Sequence, residues 1–98
     1  MKVYLKIHRR SDMETIACCD EELLNKIITE GNLRLEIGSG FFGGDLLAID
    51  KAIEILRGAS YFNIVGKNIT NMAIAQKILP KEGIRKINKI PMAMKMMF

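Results

Sequence analysis

Val3, Leu5 and Ile7 alternate with Lys2, Tyr4, Lys6 and His8, a period of two that predicts a strand with one buried and one wet face. Ser11-Asp12 reads as a turn, and the β-branched segment Glu14 to Cys19 as the returning strand of a hairpin. Asp20 then stands where a helix N-cap would, followed by Glu21 and Glu22, by Leu23, Leu24, Ile27 and Ile28 at helical spacing, and by Gly31 as a stop. Leu33, Leu35 and Ile37 alternate with Arg34 and Glu36 and predict a third strand. After a glycine-rich turn, Asp45 is placed to cap a second helix with the stripe Leu46, Ile49, Ile53 and Leu56 and a stop at Gly58. Tyr61 to Val65 reads as a fourth strand. Asn68 or Thr70 caps a third helix through Met72, Ile74, Ala75 and Ile78, closed by Pro80. Ile84 to Ile90 and Met92 to Met97 read as extended segments split by Pro91, which lacks a backbone donor and so belongs at an edge or bend.

This order of elements predicts an α/β fold, with α+β as the alternative: a small mixed sheet with about three helices, in a single domain over residues 1–98. The longest apolar runs fall far short of the roughly 20 residues that cross a bilayer. The charged N-terminus lacks the unbroken apolar stretch of a secretory signal. The expectation is a cytoplasmic protein with no membrane partner. Cys18 and Cys19 are adjacent, a poor geometry for a disulfide, and with His8 they fall short of a metal-ligand set. No metal and no cofactor are expected.

The net charge of +4 conceals an uneven distribution. Residues 1–10 carry four bases and no acid, residues 58–98 carry seven bases against Glu82 alone, and the stretch between is acidic. If the two ends meet in space, one face is basic. Tyr4, Lys6, His8 and Arg10 share the wet side of the first strand, mixing an aromatic ring with cations as single-strand RNA platforms do. Arg85, Lys86 and Lys89, with Lys81 beside them, are candidates for phosphate contacts. His8 is of a residue type that serves as an acid or base, but nothing nearby in sequence pairs with it as a nucleophile, so no catalytic residue is assigned.

Gly38-Ser39-Gly40-Phe41-Phe42-Gly43 is a literal G-x-G-x-x-G between a strand and a helix. Two phenylalanines stand where a dinucleotide turn needs bare backbone, and Asp45 brings negative charge where pyrophosphate would sit. The glycines therefore read as a tight turn that presents Phe41 and Phe42 to the core or to a protein partner, with at least one ring buried. The methionine-rich tail, Met92 to Phe98, reads as a core strand or an adaptable contact surface.

Five blocks carry a resemblance: Val3 to Arg9, Ala17 to Leu24, Phe41-Phe42-Gly43-Gly44-Asp45, Phe62-Asn63-Ile64-Val65-Gly66 and Ile90-Pro91. In this order and spacing the chain resembles the archaeal family catalogued as domain of unknown function 424. The resemblance implies a small α/β fold in an archaeal cytosol and no catalytic residue. Where Met92 follows Pro91 here, that family often has histidine. The functional expectation is thus a non-catalytic RNA- or ribosome-associated module. The alternatives are a small enzyme or ligand-binding domain using the Gly38–Gly44 turn, and a protein-assembly subunit.

Overall fold

The computed structural model describes residues 1–96. The alternating N-terminus forms β1 (Lys2–Arg10), which turns through Ser11 in a left-handed conformation and returns antiparallel as β2 (Met13–Asp20). The predicted hairpin is therefore present. In β2, Ala17, Cys18 and Cys19 are all fully buried, because this strand lies inside the sheet and is covered on both faces.

The segment after Asp20 departs from the helical expectation. Glu21–Leu23 makes one 3₁₀ turn, and Ile27–Glu30 (β3) pairs antiparallel with Leu33–Glu36 (β4) as a separate two-stranded ribbon. The run Ile27-Ile28-Thr29 is β-branched and stiff at χ1, which suits a pleated strand better than a helix interior. Gly31, at φ 58°, serves the tight turn between the two strands rather than a helix end.

Asp45 is likewise not a helix cap. Ser39–Phe42 forms a four-residue helix, α1, and Asp45–Ala48 (β5) is a strand paired antiparallel with Lys2–Leu5 of β1. Gly44 makes this pairing feasible, since a Cβ there would lie 2.0 Å from the Leu5 carbonyl oxygen. Helix α2 (Ile49–Arg57) starts four residues later than its expected cap, and its first N–H is satisfied by the Met1 carbonyl at 3.0 Å. Its buried stripe is Ile49, Ala52, Ile53 and Leu56. Each Ile or Leu so buried contributes roughly 1.5–3 kcal/mol relative to exposure.

Strand β6 (Tyr61–Val65) matches its expected span and pairs parallel with β2. Helix α3 (Lys67–Ala75) follows, ending on Lys77 at φ 59°, with Lys77 N–H donating to Ile74 O and Ile78 N–H to Ala73 O. That pair of bonds is a Schellman closure, so the helix stops before Pro80 is reached. Strands β7 (Arg85–Ile87) and β8 (Ile90–Met96) form a hairpin whose two turn residues, Asn88 and Lys89, both have positive φ.

The sheet order is β5-β1-β2-β6-β8-β7. The mixed sheet with three helices is as the sequence predicts. Helices α2 and α3 cover one face over Val3, Leu5, Ile16, Cys18, Phe62 and Ile64; α1 and the β3–β4 ribbon cover the other over Ala17, Cys19 and Val65. Pro91 departs from its expected edge position, since β8 lies between β6 and β7. Its carbonyl accepts from Gly66 N–H at 2.9 Å, while the Gly66 carbonyl, to which proline has no N–H to return, accepts from Thr70 N–H and Oγ1. The methionine-rich segment is largely this interior strand; Met97 and Phe98 lie outside the described residues.

Candidate functional site

The basic ends of the chain do not converge. Strands β1 and β7 stand four strand spacings apart in the sheet, about 19 Å at the usual separation. The candidate residues divide between these two places.

At the β1 end, the side called wet in the sequence reading is covered by α1. Lys6 Nζ donates to the Gly40 carbonyl at 3.0 Å, and His8 Nε2 lies 2.8 Å from the Phe41 carbonyl, which makes that nitrogen the donor. The His8 ring stacks on Phe41 at 4.7 Å, and Phe41 meets Phe42 edge-on at 5.1 Å. Phe42 is buried and Phe41 is 41% exposed, in line with one buried ring. Tyr4 is half-buried against the second core cluster, leaving Arg10 exposed at the strand's end. Of the sequence-predicted aromatic and cationic candidates, Lys6, His8, Phe41 and Phe42 thus form an internal clasp holding the glycine-rich segment to the sheet, and Tyr4 and Arg10 stand outside it.

The glycines of that segment have unequal roles. A Cβ on Gly38 or Gly40 would meet nothing, whereas Gly43 and Gly44 are crowded by backbone. Beside it lies a groove of about 530 Å³ lined by Ile7, His8, Arg9, Arg10, Met13, Thr15 and Phe41, to which no glycine contributes.

The second place is built on α3. Gly66, at φ 126°, brings the helix start against Asp20, whose carboxylate accepts from Asn68 N–H at 2.8 Å and Ile69 N–H at 2.9 Å. Asp20 is thus a helix cap, as its residue type suggests, but for a helix 48 residues further on. Burial raises its pKa, and the two backbone hydrogen bonds work against that rise. Because Asp20 occupies the positive end of α3, an incoming anion there must be held by side chains.

Those side chains are lysines. Lys67 and Asn71 on α3, Lys81 after Pro80, and Lys86 and Lys89 on the β7–β8 hairpin line a groove of about 410 Å³, floored by Ile74, Ile84 and Pro91, with no acidic residue in its lining. None of the four lysines enters an ion pair among the described residues. Arg85 pairs with Met92, which packs on the ribbon side, so its side chain leaves the sheet on the opposite face from Lys86. Lys67 was missed in the sequence reading. The signal that finds it is the helical spacing Lys67, Thr70/Asn71, Ile74, a partly open stripe beginning at the helix start.

Nucleophilic chemistry has little to work with. Burial pushes the Cys19 thiol up to about 12, helped by Asp20 and Glu22, and burial with the Cys19 and Asp20 charges pushes Cys18 up as well. Among the described residues no group of three or more His, Cys, Asp or Glu side chains is placed to hold a metal, and no helix is long and apolar enough to cross a membrane.

A family model described as a protein of unknown function (DUF424) matches residues 8–97. The fold is similar to the crystal structure of an uncharacterized conserved protein from Methanopyrus kandleri, at a TM-score of 0.83 and 22% identity, over 96% of this chain and 90% of that one. None of the curated proteins matches the sequence.

Proposed function

The chain belongs to the DUF424 family of proteins of unknown function, and since that family passes on no activity, we propose from the residues themselves a non-catalytic RNA-binding module acting in the cytoplasm. The observation that carries the reading is the groove of Lys67, Lys81, Lys86 and Lys89, four cations in a lining that holds no acidic residue and without ion-pair partners among the described residues. Lysines are strongly hydrated point charges that suit phosphate oxygens without fixing a base. The apolar floor of Ile74, Ile84 and Pro91 offers no ring for base stacking. Recognition is therefore of the phosphate backbone and tolerant of sequence. Ribosomal RNA is one ligand of this class. The two buried free thiols suit a reducing cytosol.

Fluorescence polarisation of a labelled single-stranded RNA, titrated across a salt series, tests the proposal. Four phosphate contacts to a single strand give a log–log salt slope of about −3. Binding that is absent at low salt, or that is insensitive to salt, overturns it.

A further inference from the structure

Strand β1 is longer than the strand that covers its outer edge. It runs to Arg10, whereas β5 pairs only with Lys2–Leu5. Met1 accepts from Ile49 N–H on the β5 side, and the register continues without a bulge. The odd-numbered residues therefore direct their N–H and C=O groups toward that side. Beyond Leu5, the backbone groups of Ile7 and Arg9 point past the end of β5 with no strand pairing them among the described residues. Exposed edge groups of this kind are a template for another strand.

We infer that this edge, together with the groove beside Phe41, binds an extended acidic segment of a partner protein by strand addition. This site stands apart from the lysine groove and does not rest on the RNA reading. Three features select the occupant. The groove lining holds no acid; Arg9 in it is paired with Glu14 at 2.8 Å, whereas Arg10 has no ion-pair partner among the described residues, so the free charge at this end complements glutamate or aspartate. An added strand places alternate side chains on the α1 side, where the exposed Arg10 favours a carboxylate, and the others beside Ile7 on the far side, where an aliphatic residue covers a side chain that is 41% exposed. A second copy of the chain fits poorly. In a two-fold antiparallel pairing about His8, Lys6 would face the copy's Arg10 and Arg10 the copy's Lys6, placing like charges directly opposite one another twice. Phe41, exposed at the groove, supplies the apolar contact at its rim.

A short peptide alternating glutamate with valine is the probe, titrated into the full chain with amide shifts followed by NMR. The expected result is saturable binding with the largest shifts at Ile7 and Arg9. The Arg10→Glu variant should weaken binding about tenfold, and the same peptide N-methylated at alternate amides should bind not at all. The N-methylated form probes backbone pairing without altering the protein, so a poorly folded variant cannot obscure the outcome. No binding, equal binding of the N-methylated peptide, or equal binding of a peptide alternating lysine with valine each overturns the inference. Concentration-dependent dimerisation that blocks the Ile7 and Arg9 amides would assign the edge to a second copy and overturn it too.

Discussion

The two ends of the sheet are both basic, yet their cations are in different states. At the β1 end Lys6 is tied to the Gly40 carbonyl and His8 is bonded to the Phe41 carbonyl and stacked on its ring, so two of the polar side chains the strand presents are used to hold α1 down. At the β7 end Lys67, Lys81, Lys86 and Lys89 face a groove with no acid in its lining. Charge counted along a sequence therefore overstates availability at one end and understates it at the other, because a cation hydrogen-bonded to its own backbone has given up part of the hydration and freedom that ligand binding would use.

The comparison breaks most severely at the joint beneath the lysine groove. A Cβ on Gly66 would lie 2.3 Å from Asp20 Cγ on a backbone at φ 126°. The Gly66→Ala variant should lose about 2–4 kcal/mol, read from the urea midpoint, and should dismantle the α3 end while β1 and α1 keep their contacts. A loss below roughly 0.5 kcal/mol would mean that the cap and helix start are not coupled as described.

Asp20 gives a pH-dependent version of the same test. Its pKa is raised in the folded state. Its contribution is therefore fully present below its unfolded value of about 3.9 and is lost as pH rises through the higher folded value. Measured against Asp20→Asn, the wild type should gain relative stability as pH falls from 7 toward 4. A difference that moves the other way would show that the backbone hydrogen bonds outweigh burial.

At the opposite end the expected effect is smaller. Phe41→Ala removes the stack on His8 but leaves Phe42 buried, and should cost about 1 kcal/mol in thermal unfolding. Lys86→Ala, on an exposed side chain, should stay within roughly 0.5 kcal/mol of wild type. Equal costs would erase the distinction between tied and free cations. One change is a gain: Lys77→Gly relieves a left-handed residue in the Schellman closure and should stabilise by about 0.5–1 kcal/mol.

The sequence made the strands legible where one periodicity had no rival, as in Val3-Leu5-Ile7 and Tyr61 to Val65. It misled where two periods fit the same residues. Leu23, Leu24, Ile27 and Ile28 satisfy helical spacing, but the partner that settled them as turn and ribbon is β4, whose pairing only the fold reveals. Asp20 had the chemistry of a cap and no visible address, since the amides it caps are contributed by Asn68 and Ile69. The phenylalanines argued against a dinucleotide turn, but did not reveal that Phe41 would clasp His8 across 33 residues. The lysine groove was half legible: Lys81, Lys86 and Lys89 are close in sequence, whereas Lys67 joins them only because α3 packs against the β8 end of the sheet.

The most direct test of the central claim neutralises each end in turn. Lys67, Lys81, Lys86 and Lys89 are changed together to alanine in one variant; Lys2, Arg9 and Arg10 are changed in a second, sparing the Lys6 clasp. Polarisation of a labelled single-stranded RNA is then followed across a salt series for both. The first variant should lose binding and most of the salt slope, while the second keeps both within about threefold. Loss in the second variant with retention in the first would contradict the central claim and move the RNA contact to the β1 end.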